Sequence, residues 1–157
     1  MKSSFYSNGK LLLTGEYVVL DGAKALALPT KKGQSLVVEE NDSGFLIWQS
    51  FDCHNNIWYE TKIETKYFFN TSAPLGNSKF DETLFKILWK ALQMNPNFLK
   101  NSSGYQISTH LEFERLWGLG TSSTLINNIA QWALINPFEL LNNSFGGSGY
   151  DLSLIHI

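Results

Sequence analysis

The sequence predicts an α+β fold, a sheet with helices packed on it, on three observations. The N-terminal part is dominated by aromatic and β-branched residues in short apolar pieces, as pleated surfaces favour. Two later segments carry apolar residues at helical spacing. A well-alternating strand lies between those two segments, so strands come first and helices pack later.

The elements follow in order. "KLLLTGEYVVL" is two apolar strand pieces around a Gly-Glu interruption, and "KALALP" alternates and is expected to stop at Pro29. "QSLVVEE" and "GFLIWQSF" flank "NDSG", a turn signal of the hairpin kind, and "NIWYETKI" predicts a further strand. "TSAPLGNSK" breaks the pattern. A helix is predicted from Asp81 to Met94, with Phe85, Leu88, Trp89 and Leu92 on one face and Pro96 ending it. In "SGYQISTHLEF", Tyr105, Ile107, Thr109, Leu111 and Phe113 alternate with mostly polar residues, which predicts a strand. After "ERLWGLGTSS" a second helix runs through Leu134, with Leu125, Ile126, Ile129 and Ala133 on its buried side. Pro137 opens a short helix, "PFELLNN", and the glycine-rich "FGGSGYD" follows.

The chain has 157 residues, enough for one domain, 1–157, with a real core. Hydrophobic residues make up 43% and charged residues 17%, a globular composition. The net charge is −2 and Arg115 is the sole arginine, so the basic face of a nucleic-acid binder is not expected. "LLL" at 11–13 is too short for a signal sequence, and no apolar run reaches membrane-spanning length. The expectation is a cytoplasmic protein without a membrane partner. Cys53 is the only cysteine: it permits no internal disulfide, has no zinc-type spacing and reads as a plain thiol beside His54. His54, His110 and His156 have no convergent partners in the sequence and read as structural.

The chemistry centres on "WGLGTSSTLINN". Glycines between a strand and a helix let backbone N–H groups converge on an anion, and the helix N-terminus adds donors and a positive dipole end. Ser122 and Ser123 would stand in the first turn. No Gly-Lys-[Ser/Thr] ending is present, so this is not a Walker A loop. On these residues alone, the stretch is either a phosphate loop or a turn whose Thr121 caps the helix.

Two further stretches bear on that choice. "NGKLLLTGEYVVLDG" is similar to the first motif of the GHMP kinases, the family of galacto-, homoserine, mevalonate and phosphomevalonate kinases. "GLGTSST" is similar to their second motif, and "GSGYD" to the turn that carries their catalytic aspartate. The three occur in the family's order. The chain thus resembles the N-terminal portion of a GHMP kinase, closest to a bacterial subgroup with a Gly-Tyr-Asp turn. The family's third motif is absent, and the resemblance implies a truncated chain lacking the C-terminal domain.

The resemblance implies the family's α+β N-terminal domain (ribosomal protein S5 domain 2-like) and an ATP- and Mg²⁺-dependent kinase acting on a small molecule. The acceptor implied is a hydroxyl or phosphate, of mevalonate or phosphomevalonate type, in isoprenoid precursor synthesis. Gly118, Leu119, Gly120, Thr121, Ser122 and Ser123 match the loop around the ATP phosphates, with Ser122 also touching Mg²⁺. Asp151 matches the catalytic aspartate and Lys10 the first-motif lysine, whose charge would help hold that aspartate ionised. Glu16 and Tyr17 border the acceptor pocket. Glu139 is the candidate acidic Mg²⁺ ligand. Two other readings stand beside this one: a diphosphomevalonate decarboxylase-like enzyme using Arg115, and a non-catalytic nucleotide-binding module or inactive fragment.

Overall fold

The computed structural model describes residues 1–14, 24, 26–69, 78–100 and 103–144. In chain order these form β1 (Lys2–Thr14), β2 (Leu26–Asn41), β3 (Phe45–Phe51), β4 (Ile57–Glu64), α1 (Lys79–Met94), β5 (Gly104–Leu111), α2 (Thr121–Ala133) and α3 (Pro137–Ser144), with a 3₁₀ turn at Thr65–Phe68. The five strands make one sheet in the order β1-β2-β5-β3-β4. Neighbours are antiparallel except β3 and β5, which run parallel. Parallel pairing requires a long crossover, and β4 and α1 supply it.

The hairpin expected at "NDSG" does not form. The chain reverses there, with Gly44 at φ +76°, but β5 occupies the place between β2 and β3. The reason is visible at Gly104, the first residue of β5. A Cβ on it would lie 2.4 Å from Asn41 Oδ1 and 2.5 Å from Ser43 Oγ, so only a glycine can enter the mouth of the turn.

Pro29 does not end its strand either. β2 continues through it to Asn41. The missing N–H costs nothing there, because β5 pairs only with Gln34–Asn41 and the Pro29 end of β2 is an edge on that side. The β1–β2 register also shifts between Asn8 and Lys10, with Pro29 opposite Lys10.

Both main helices match their expected positions. Ser78 caps α1, its Oγ accepting from Asp81 N at 3.2 Å, and Asn95, before Pro96, is its C-cap. Leu84, Phe85, Ile87, Leu88, Ala91 and Leu92 are its buried face. In β5, Tyr105, Ile107, Thr109 and Leu111 are buried and the residues between them are not. Tyr105, Ile107 and the buried face of α1 share one core with Leu36, Val38, Leu46 and Trp48 of the sheet and with Ile126, Ile129, Ala130 and Leu140 of α2 and α3. The helices therefore cover one face of the sheet, and α2 lies on its β1–β2 side. No helix among the described residues is long and apolar enough to cross a membrane.

Candidate functional site

The glycine loop is built on β1. The N–H of Lys10 donates to the Leu119 carbonyl at 2.9 Å, outside any strand ladder. Gly9 makes this approach possible, because a Cβ on it would stand 2.8 Å from Thr30 Oγ1 and 3.0 Å from Leu119 O. Gly118 and Gly120 have φ of +69° and +85°, the left-handed region. Gly120 is the N-cap of α2, so Thr121 is the first helical residue and not the cap. The first intrahelical bond is from Thr124 N to Gly120 O at 2.9 Å. The N–H groups of Thr121 and Ser122 precede it, at the positive end of the helix dipole.

Lys10 is buried, at 7% exposure. Its aliphatic stem lies against Gly120, whose Cβ position is 3.2 Å from Lys10 Cγ and 3.4 Å from Cε. A lysine brought to a helix N-terminus places its cation where an anion is also favoured. Ser122 is exposed, Thr121 half-buried, and Ser123 buried at 8%.

A polar network that the sequence did not reveal fixes α2 to the sheet. Ser7 Oγ donates to Asn128 Oδ1 at 2.6 Å and accepts from Asn127 Nδ2 at 2.8 Å. Asn128 Nδ2 donates to the Gln34 carbonyl at 2.9 Å, and Thr124 Oγ1 donates to Gln34 Oε1 at 2.6 Å. All five residues are buried. Ser7→Ala leaves two buried groups short of a partner, at about 1–3 kcal/mol each. A melting temperature lower by several degrees is the expected result, checked by thermal unfolding. A change under one degree would show that water replaces the serine.

A cleft of about 490 Å³ opens beside the start of α2. Its floor is Gln34, Trp48 and Ser50, one wall is α1 from Lys79 to Ile87, and Thr121, Ser122 and Leu125 form another. Trp58, Tyr59 and Phe80 make an aromatic corner, with rings about 6 Å apart: 5.9 Å for Trp58–Tyr59 and 6.0 Å for Trp58–Phe80. The Arg115 guanidinium stacks 3.8 Å over Trp58. Trp58 Nε1 is buried and has no acceptor among the described residues.

Tyr59 Oη donates to Asp81 Oδ1 at 2.7 Å. Burial first, and this bond second, push its phenol above the ordinary range. A raised pKa means that the stability Tyr59 provides is present below pH about 10, the unfolded value, and is lost as pH rises through the folded one. Above pH about 10 the native melting temperature is expected to fall more steeply than that of Tyr59→Phe. Parallel curves would rule this coupling out.

Of the residues expected at a kinase site, Lys10 and Gly118–Ser123 come together, with Thr121 and Ser122 lining the cleft. Glu139 is not brought to them. It is exposed in the first turn of α3, which begins beyond the C-terminal end of α2, whereas Ser122 is at the N-terminal end. Glu16, Tyr17, Asp151 and the "GSGYD" turn lie outside the described residues.

This arrangement of sheet, crossover helix and glycine loop is the N-terminal fold of the GHMP kinases. Mevalonate kinase from Methanococcus jannaschii superposes with a TM-score of 0.64 at 17% identity, over 99% of this chain and 50% of that one. Lactococcus lactis galactokinase complexed with galactose gives 0.60 at 13% identity, over 98% and 41%. Streptococcus pneumoniae phosphomevalonate kinase in complex with phosphomevalonate and AMPPNP gives 0.58 at 16% identity, over 98% and 46%. The chain spans about half the length of these solved structures, and the likeness at such identities is one of fold. No protein-family model and no curated protein sequence matches the chain.

Proposed function

We propose that the chain is the nucleotide-binding half of an ATP- and Mg²⁺-dependent small-molecule kinase of the GHMP type. The observation that carries this reading is the glycine loop. It is tied to β1 through Leu119, packed on the Lys10 stem through Gly120, and opens at Thr121 and Ser122 onto the aromatic cleft. A nucleotide has a flat apolar base and a charged tail, and the cleft offers a place for each. The base would lie against the rings of Trp58, Tyr59 and Phe80 in the aromatic corner. The phosphates would meet the N–H groups and hydroxyls of Thr121 and Ser122.

Phosphoryl transfer needs positioning and charge stabilisation more than covalent chemistry. Lys10 would offset charge on the transferred group, and Asp151 would accept the proton of the acceptor hydroxyl. Glu16 and Tyr17 would border the acceptor. No carboxylate among the described residues lines the cleft beside Ser122. Mg²⁺ keeps several waters and binds largely through substrate phosphates, which suits a site offering it one hydroxyl. Glu139 is not part of this set, because α3 begins beyond the C-terminal end of α2 whereas Ser122 stands at its N-terminal end. The acceptor class we favour is a small metabolite such as mevalonate or phosphomevalonate, which the neighbouring structures' own names support for those proteins.

Calorimetric titration with Mg·ATP tests the reading. Binding is expected for the native chain and for Asp151→Ala, and weaker binding, by about tenfold or about 1.4 kcal/mol, for Ser122→Ala. A folded, monodisperse sample that takes up no nucleotide would refute the proposal.

A further inference from the structure

The turn between β3 and β4 is held rigidly by Asp52. Its Oδ1 accepts from the N–H of His54 and of Asn56, both at 2.9 Å, and its N–H donates to the Asn56 carbonyl at 3.0 Å. The turn projects Cys53 and His54 side by side. Glu114, sixty positions beyond His54, reaches them from the stretch after β5, with its carboxylate Oε1 2.9 Å from His54 Nε2. Cys53 Sγ, a ring nitrogen of His54 and a carboxylate oxygen of Glu114 all lie within 4.8 Å of one another.

We propose that Cys53, His54 and Glu114 are the three protein ligands of a site for a divalent transition metal, Zn²⁺ above all. The donor set is the first reason. A thiolate, an imidazole and a carboxylate suit Zn²⁺ or Co²⁺, while Mg²⁺ and Ca²⁺ prefer oxygen alone. Charge is the second: thiolate and carboxylate together carry two negative charges, matching the ion, and the thiol proton leaves to solvent on binding. Geometry is the third. Zn–S of about 2.3 Å and Zn–N of about 2.0–2.1 Å set ligand atoms roughly 3.3–3.6 Å apart. Ligand atoms now up to 4.8 Å apart would close by roughly 1.2–1.5 Å. The 2.9 Å His54–Glu114 pair would open slightly. The side chains of His54 and Glu114, 67% and 46% exposed, are free to make both moves. Breaking their exposed ion pair costs little. That exposure also leaves room for water as the fourth ligand, as in open zinc sites.

The three ligands join two segments far apart in sequence. One is the β3–β4 turn. The other leads through Arg115, which stacks on Trp58, into the glycine loop. A metal here would clip the approach to that loop onto the sheet, whatever the cleft binds. The site is independent of the kinase reading, and the test needs no nucleotide.

Co²⁺ titration of the reduced protein, followed by absorption, tests it. One equivalent is expected to give visible bands of tetrahedral Co²⁺ and a near-ultraviolet thiolate-to-metal band, both displaced by Zn²⁺. Cys53→Ser should lose the ultraviolet band, and His54→Ala and Glu114→Gln should each weaken binding by about tenfold or more. Zn²⁺ should raise the native melting temperature but not that of Cys53→Ser. The melting curve of each variant without metal confirms that it folds. Absent tetrahedral bands overturn the proposal. So does unchanged Co²⁺ affinity in both His54→Ala and Glu114→Gln, because the ion would then be held by a thiol alone.

Discussion

Gly120→Val is expected to abolish measurable Mg·ATP binding while the strands and helices persist. Two effects act at this position. Gly120 caps α2 at φ +85° and ψ +38°, and a residue with a Cβ in that left-handed region costs about 1–2 kcal/mol, more when β-branched. The added side chain also meets the Lys10 stem, 3.2 Å from Cγ, and displaces the buried cation from the start of the helix. Gly118→Ala separates the two effects. Its φ is also positive, but a Cβ there meets nothing within 4 Å among the described residues. It should weaken binding by about tenfold at most, the worth of about 1.4 kcal/mol. Titration calorimetry beside far-ultraviolet circular dichroism checks both variants. Equal losses would mean that backbone strain alone matters and that the packing on Lys10 does not. Normal binding by Gly120→Val would remove the glycine loop from the nucleotide site.

Trp48→Ala is expected to have the largest effect on stability. Trp48 is 1% exposed in β3, between β4 and β5, and its indole Nε1 donates to Ser50 Oγ at 3.0 Å. Truncating a buried Trp costs about 3–5 kcal/mol, against about 5–15 kcal/mol for a whole small domain. The melting temperature should fall by about 10 °C, and the urea midpoint should fall with it. Trp48→Phe keeps most of the buried area and should recover more than half of the loss. Because Trp48 also floors the cleft, the alanine variant should bind nucleotide more weakly even well below its melting temperature. A loss of less than about 1 kcal/mol would mean that neighbouring side chains collapse into the space.

Periodicity made the helices and the central strand legible. Phe85, Leu88 and Leu92 fall on one face of α1, and the alternation from Tyr105 to Leu111 places β5. Strand order was not legible. "NDSG" carries every local sign of a hairpin, and only the packing of Gly104 against Asn41 and Ser43 reveals that β5 enters between the two strands. Pro29 misled for a related reason, since a proline stops a strand only where its N–H is needed. The glycine loop was legible as a loop before a helix. The Lys10 N–H bond to Leu119 was not, because it joins positions far apart in sequence. Thr124, Asn127 and Asn128 look in sequence like the polar side of an amphipathic helix, yet they are buried and bonded to Ser7 and Gln34. Trp58, Phe80 and Arg115 converge on the cleft from three separate segments, which no local pattern reports. Cys53 and His54 read as a plain thiol and a structural imidazole for the same reason, since Glu114 stands sixty positions from His54.

The insertion of β5 has a consequence for synthesis. A ribosome delivers β2, β3, β4 and α1 before it delivers Gly104–Leu111. Until that segment emerges, β2 and β3 each present a bare hydrogen-bonding edge, and the β3–β4 hairpin has no tie to the rest of the sheet. Unpaired edges recruit other chains. Nascent chains halted near residue 100 should therefore be captured by chaperones or aggregate. Chains that have released β5 from the exit tunnel can close both edges with one strand, and the sheet becomes continuous in a single late step.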